Sequence, residues 1–559
     1  MLAATAGVSR QDIVKTVLIL GGYGGFGGRL SHILVARGHH VLVAGRRLQE
    51  ATRFCQTVEN AAPVQADRNG DIADVLAQYK PDLVIDAAGP FQGSSYSLIE
   101  QCIAAAIPYL DLADSRHFVC GIGSLNEAAR TAGIPVISGA SSVPALSGAA
   151  IRNLASGSFR AEAVEMAISA SNRATAGPSV SKAILSYVGK VIRIRRGGQW
   201  QTGYGWQDLR DVRFTMADGS GTGKRLVGLA DVPDLDLVPR QFDTEPAVTF
   251  RAGTELTFQN RALWLASWAV RWGWINSLAP MVKLLLSLQN ITRSLGSDVS
   301  AMKVELFGNE NDQPCRKSWT LIARQGDGPQ IPTFAAVLLV EKIVQGQAKV
   351  GAYDASKLLK LSEFQPLFDD HAIAHETQTA APAASLYQKV MGPEFQKLPN
   401  SIQKLHSVIR DAGFHGQAKV TGGKNPLAKL AAKIFGFPSA GQHDLHVHIA
   451  ADDKGETWVR SFSGKKFSSR LEKSGRHLIE SFGPFQFRFD LPGTDKGLRM
   501  EMTGWKFWFV PLPLFLAPKS LASEWDEDGR FHFDVPIALP IIGLMVHYRG
   551  WLEPSRNEA

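Results

Sequence analysis

Six residues constrain this chain more than any others. Gly22-Tyr23-Gly24-Gly25-Phe26-Gly27 follows an apolar run, Val17–Leu20, and opens a stretch of helical pattern over 27–37 that stops at Gly38. A strand, a glycine-rich turn and a helix in that order form the context in which G-x-G-x-x-G cradles a pyrophosphate. The first glycine is expected to permit a tight turn. The second lets the backbone approach a ligand, and the third lets helix and strand pack closely. The helix N-terminus then offers unpaired N–H groups to the phosphates. Gly22, Tyr23, Gly24, Gly25, Phe26 and Gly27 are therefore candidate dinucleotide contacts.

The rhythm continues beyond the loop. Strand patterns at 40–44, 64–66, 83–87, 109–112 and 136–138 alternate with helical ones at 48–58, 71–79, 95–106 and 123–132. Short links between alternating strands and helices predict an α/β Rossmann-type doubly wound parallel sheet over 15–150. The second strand ends Val43-Ala44-Gly45-Arg46-Arg47, with no acid to hold ribose hydroxyls. A carboxylate there would repel a 2′-phosphate, whereas a guanidinium grips it. Arg46 and Arg47 thus favour NADP(H) over NAD(H).

At 559 residues the chain is too long for one compact domain. After about 155 helical and strand-like pieces mix, which predicts an α+β second domain over 151–374. HETQTAAPAAS, 375–385, reads as a linker. From 386 to 559 short aromatic strand patterns separated by Gly, Pro and Asp predict an antiparallel β-rich domain. Its apolar surface must be covered, either in a sealed core or around an apolar, lipid-like ligand.

Other features narrow the chemistry. The formal charge of +8 comes without a Lys/Arg run, so no nucleic-acid partner is expected. Cys55, Cys102, Cys120 and Cys315 are scattered, which fits a reducing cytoplasm, and Met1–Lys15 has no secretory pattern. Residues 263–288 are apolar and carry Trp264, Trp268, Trp272 and Trp274. They suit a core or interface helix, a helix lying in a membrane interface, or a span broken by Arg271, Pro280 and Lys283. His443, His446 and His448 suit surface strand positions or a metal. No metal is expected, and the oligomeric state stays open.

Several of these segments together resemble a known family. Gly21–Gly28, Ala44-Gly45-Arg46, Asp86–Phe91 and Tyr109–Asp114 look like the NADP-binding domain of saccharopine dehydrogenase-like oxidoreductases. Gly139–Pro144 resembles the family's next motif, with Ser141 where the usual form has Asp, and the likeness extends over about 15–365. It implies that Ala88, Gly89 and Pro90 lie along the cofactor. It leaves Asp111, Asp114 and Ser142 as candidates to orient substrate or relay a proton, with Lys182 and Tyr187 as further candidates. The tail resembles an uncharacterised domain, DUF4166, through Trp458–Phe462, Glu480–Pro484, Pro511–Pro518, Phe531–Val535 and Tyr548–Gly550. The expectation is an NADP(H)-dependent oxidoreductase acting on a C=N, C=O or C=C bond of a small, hydrophobic molecule. The alternative is a non-catalytic NADP(H)-binding protein at a lipid or membrane surface.

Overall fold

The protein is described by a computed structural model covering residues 15–155, 157–174, 177–311, 313–380 and 384–555. The N-terminal residues before Lys15 and linker positions 381–383 lie outside the described residues.

The predicted parallel sheet is present. Strands β1 (Thr16–Leu20), β2 (His40–Gly45), β3 (Ala61–Gln65), β4 (Leu83–Asp86), β5 (Tyr109–Asp111) and β6 (Pro135–Ser138) run in spatial order 6-5-4-1-2-3. The order reverses between β1 and β4, where open α/β sheets place their ligands. Val17, Ile19, Val43 and Ile85 are fully buried, as strands covered by helices on both faces require. The glycine loop feeds helix α1 (Gly25–Ala36).

Two boundaries differ from the sequence reading. A seventh parallel strand, Gly351–Asp354, adds beside β6, so the first domain reclaims residues from beyond the second. The helix Ile331–Val344 also packs on α1. The stretch read as a linker from 375 is instead strand as far as Ala380. Ile373–Ala380 pairs antiparallel with Gln313–Ala323, His375 lying opposite Leu321. Its polar composition suits an edge position, not a loose tether.

The second domain is a mixed sheet around Arg160–Ala170, which pairs parallel with Ala247–Thr254 and antiparallel with Ser300–Glu310. The tryptophan-rich region is two helices, Thr257–Arg271 and Val282–Ile291, broken between Trp272 and Met281. Among the described residues no helix is long and apolar enough to cross a membrane.

The C-terminal domain is a closed antiparallel barrel of ten strands, from Asp411–Gly422 round to Gly543–Pro554, sealed where Phe485–Asp490 pairs with Gly497–Phe507. Phe414, Phe462, Phe489, Phe531 and Leu478 fill its interior, joined by Tyr387 and Ile402 from the segment that leads into it.

Candidate functional site

The glycine loop is built by close backbone contacts. The chain turns at Gly21, φ +74°, so the turn glycine is one residue earlier than the motif suggests. Gly22 is required for a different reason: a Cβ there would lie 2.8 Å from the Ile19 carbonyl oxygen and 3.2 Å from Val43 Cα. At Gly27 a Cβ would lie 2.1 Å from the Gly21 carbonyl oxygen, which fixes how closely α1 sits on β1. Gly24 precedes α1, and no side chain caps that helix, so its first-turn N–H groups face the cleft alongside Gly25 and Phe26.

Across the loop, the Tyr23 ring lies over the end of β2. A Cβ on Gly45 would come within 2.4 Å of that ring, so any larger residue would displace the ring from this place. The Tyr23 hydroxyl accepts the Arg47 backbone N–H at 3.3 Å. Arg46 and Arg47 are exposed at the cleft mouth, and no carboxylate among the described residues pairs with either. Two free guanidinium groups at the end of β2 suit a phosphate.

The far ends of β3 to β6 line the next part of the cleft. Arg68 donates through Nε to Asp86 at 2.8 Å, reaches Ser94 at 2.7 Å and lies over the Phe91 ring at 4.8 Å. The Ala88 N–H donates to the other Asp86 oxygen at 2.9 Å. These contacts fix the loop carrying Ala88, Gly89 and Pro90, all of which border the cleft. Asp114, Ser141 and Ser142 border it too. Gln92 donates to Asp114 at 3.3 Å, and burial pushes the Asp114 carboxyl above its ordinary value.

Asp111 belongs elsewhere. It is fully buried and does not reach the cleft. Its Oδ1 accepts the Ala113 N–H at 2.9 Å, the Gly139 N–H at 2.8 Å and the Ser138 hydroxyl at 3.0 Å. It ties the loops after β5 and β6 together, so its position argues for support of the site and against contact with substrate. Tyr187 also fails to line the cleft, whereas Lys182, on the helix Pro178–Tyr187, does.

The second domain supplies the opposite wall, and the whole cleft encloses about 1160 Å³. Ile168, Ala183, Ala252, Met302 and Pro332 make much of that wall, and Lys182 is its only charged residue among those described. The Ser169 hydroxyl and the Trp206 indole N–H, both nearly inaccessible, have no hydrogen-bond partner among the described residues. Sequence reading missed Ser169, Trp206 and Thr254 because they come from separate strands and loops with no shared motif. Each of the three barrel histidines has a protein partner: His443 faces the Ser439 carbonyl at 2.8 Å, His446 the Gly197 carbonyl of the second domain at 2.8 Å, and His448 faces Asp411 at 2.9 Å.

Residues 17–137 match the family model described as the saccharopine dehydrogenase NADP binding domain. The first domain is a saccharopine dehydrogenase-type NADP-binding domain. This makes the chain an oxidoreductase using a nicotinamide dinucleotide, with NADP favoured. Residues 398–552 match DUF4166, a domain of unknown function. No curated protein matches. Solved structures with similarity include GenD2 from gentamicin A biosynthesis in complex with NAD, 15% identical over 62% of this chain and 92% of that one, TM-score 0.33. Amine dehydrogenase from Mycobacterium smegmatis is 10% identical over 62% of this chain and 95% of that one, TM-score 0.31. Sorbitol-6-phosphate 2-dehydrogenase SrlD from Erwinia amylovora is 18% identical over 22% of this chain and 69% of that one, TM-score 0.18. None of these likenesses bears on the chemistry of this chain.

Proposed function

We propose that this saccharopine dehydrogenase-like oxidoreductase transfers a hydride between NADP(H) and a C=N, C=O or C=C bond of a largely apolar substrate. The observation that carries this reading is the continuity of one cleft. It runs from the glycine loop and the unpaired Arg46 and Arg47 to a largely apolar second-domain wall whose only charged residue among those described is Lys182. A substrate bearing several carboxylates would need a matching set of cations, and that wall has one.

Bound cofactor supplies the hydride; the chain binds, aims and handles the proton. The backbone of Gly22–Gly27 holds the pyrophosphate and Arg46 and Arg47 hold the 2′-phosphate. Ala88, Gly89 and Pro90 border the cofactor along the ends of the strands. Asp114 and Lys182 are the titratable groups best placed to hold or give up a proton beside the substrate, and Ser142 can orient it. Exposed Leu265, Trp272 and Trp274 lie on the helical region packed behind the Pro178–Tyr187 helix, which favours substrates arriving from an apolar phase. A non-catalytic role would suit a closed cleft; the open one, with Asp114, Ser142 and Lys182 in it, favours catalysis.

The test is NADPH consumption against a panel of apolar ketones, imines and enoyl compounds, with multiply charged analogues beside them. Turnover confined to apolar members supports the reading. Turnover only of the charged analogues contradicts it.

A further inference from the structure

The barrel has two unlike mouths. One holds the chain's entry at Arg410 and Asp411, and its loops mix charges: Asp452, Asp453, Asp526, Glu527 and Asp528 lie there with Lys454, Arg476 and Lys496. The other mouth faces away from that entry. It is formed by the helix Pro426–Ile434 and by hairpin tips near Gly464, Gly483, Trp508 and Ile541.

This far mouth forms one apolar surface. Phe435 meets Phe485 at 5.5 Å between ring centroids, and Phe485 meets Phe507 at 5.0 Å. The Trp508 N–H donates to the Pro484 carbonyl at 2.6 Å, tying two hairpin tips together. Yet Phe509 is 80% exposed, Phe515 76%, Ile434 74%, and Ile541 wholly exposed. So much clustered apolar surface is unusual on a protein that meets only water. The backbone adds a second sign. Trp508 has φ +56° and Ile541 φ +72°, the left-handed region that glycine or asparagine normally takes at a hairpin tip. Bulky apolar side chains stand there instead.

Charge is segregated as well. Segments 421–441, 461–468, 481–489, 503–521 and 535–548 build the far mouth, and none contains Asp or Glu. They hold three lysines in the first segment, two in the second, one arginine in the third and two lysines in the fourth. The chain as a whole has 60 basic and 52 acidic residues, so this is a local selection.

We propose that the far mouth docks end-on against an anionic lipid bilayer. Its aromatic tips would enter the headgroup zone and its lysines would meet anionic headgroups. Pairing with a second copy through the same face is disfavoured, because it would bring two all-basic rims together. Crossing the bilayer is disfavoured too. Leu498 and Met500 point into the barrel while Arg499 and Glu501 point out, the reverse of a barrel with a lipid-facing band.

The test is flotation of the full-length chain with vesicles of phosphatidylcholine, alone or mixed with phosphatidylglycerol. Binding to the mixed vesicles, weakened by salt, is expected. Phe509→Ser with Phe515→Ser should weaken it at least about tenfold. Lys429→Gln with Lys433→Gln should weaken it about fivefold per lysine. Both variants should bind NADPH as the parent does, which verifies folding. Absence of parental binding to mixed vesicles overturns the proposal, as does unchanged binding by both variants. So does loss of binding only in Trp272→Ser with Trp274→Ser. A change confined to oligomeric state, read by light scattering, assigns the face to self-association and equally overturns it.

Discussion

Arg410, one residue ahead of the first barrel strand, grips Glu165 of the second-domain sheet through both carboxylate oxygens, at 2.8 and 2.5 Å. Beside it, Glu162 accepts the backbone N–H groups of Arg410 at 2.6 Å and Asp411 at 2.8 Å. The Gly197 N–H donates to Asp411 at 2.6 Å. The barrel is therefore clamped to the domain that walls the cleft.

Arg410→Met should destabilise the protein by about 3 kcal/mol, because it strands a partly buried carboxylate. Burial alone would raise the Glu165 pKa, but Arg410, with Arg251 and Arg210, outweighs it and holds the group at about 2. A depressed carboxylate contributes stability above its unfolded value, and that contribution is lost as pH falls towards about 2. Urea unfolding should show the parent's advantage over the variant at neutral pH and its erosion in acid. Equal stability at neutral pH would contradict the assignment.

Asp111 predicts the opposite pH dependence. Burial pushes its carboxyl up to about 7, against the opposing hydrogen bonds from Gly139, Ala113 and Ser138. A raised carboxyl contributes stability below its unfolded value, about 3.9, and loses it as pH climbs through the folded one. Asp111→Asn keeps an acceptor oxygen for the three donors and removes the titration. The variant should lose less stability than the parent between about pH 5 and about pH 8, by up to one proton's worth of slope. Residual pH dependence will remain, since burial also raises Asp234 and Glu162 to about 7. A parental pH dependence in the variant would show that Asp111 is already charged.

How far the sequence carried can be judged from particular residues. The six strands from Thr16 to Ser138 were readable because each is a short apolar run beside a turn or helix signal. Gly351–Asp354 was not assigned to that sheet, since no local pattern tells a strand which sheet it will join. His375–Ala380, most of the strand that begins at Ile373, read as a linker because an edge strand needs few apolar residues. The place of Arg46 and Arg47 at the cleft mouth, just after β2, was legible from position alone. Asp111 and Asp114 were not separable: three residues apart, one turns into the sheet and the other into the cleft, and only packing decides which.

Gly27→Ala should cost about 1–3 kcal/mol of stability and weaken NADPH binding, because the new methyl meets the Gly21 carbonyl, which cannot swing aside. Chemical denaturation and a NADPH titration check both. Parental values in both would show that α1 has room the structure denies.

Lys182→Met and Asp114→Asn separate catalysis from binding. The residue that handles the proton should lose about 10²–10⁴-fold in turnover of an apolar substrate while NADPH affinity stays within about twofold. Matching losses in affinity and turnover would make that residue a cofactor contact.

The most direct test of the account is a fluorescence titration with NADPH and NADH, repeated on Arg46→Asp. The account predicts tighter binding of NADPH by the parent, and loss of about 10–100-fold of that affinity in the variant with NADH affinity kept. Failure of the parent to bind either nucleotide, or a variant that retains the parent's preference, would contradict it.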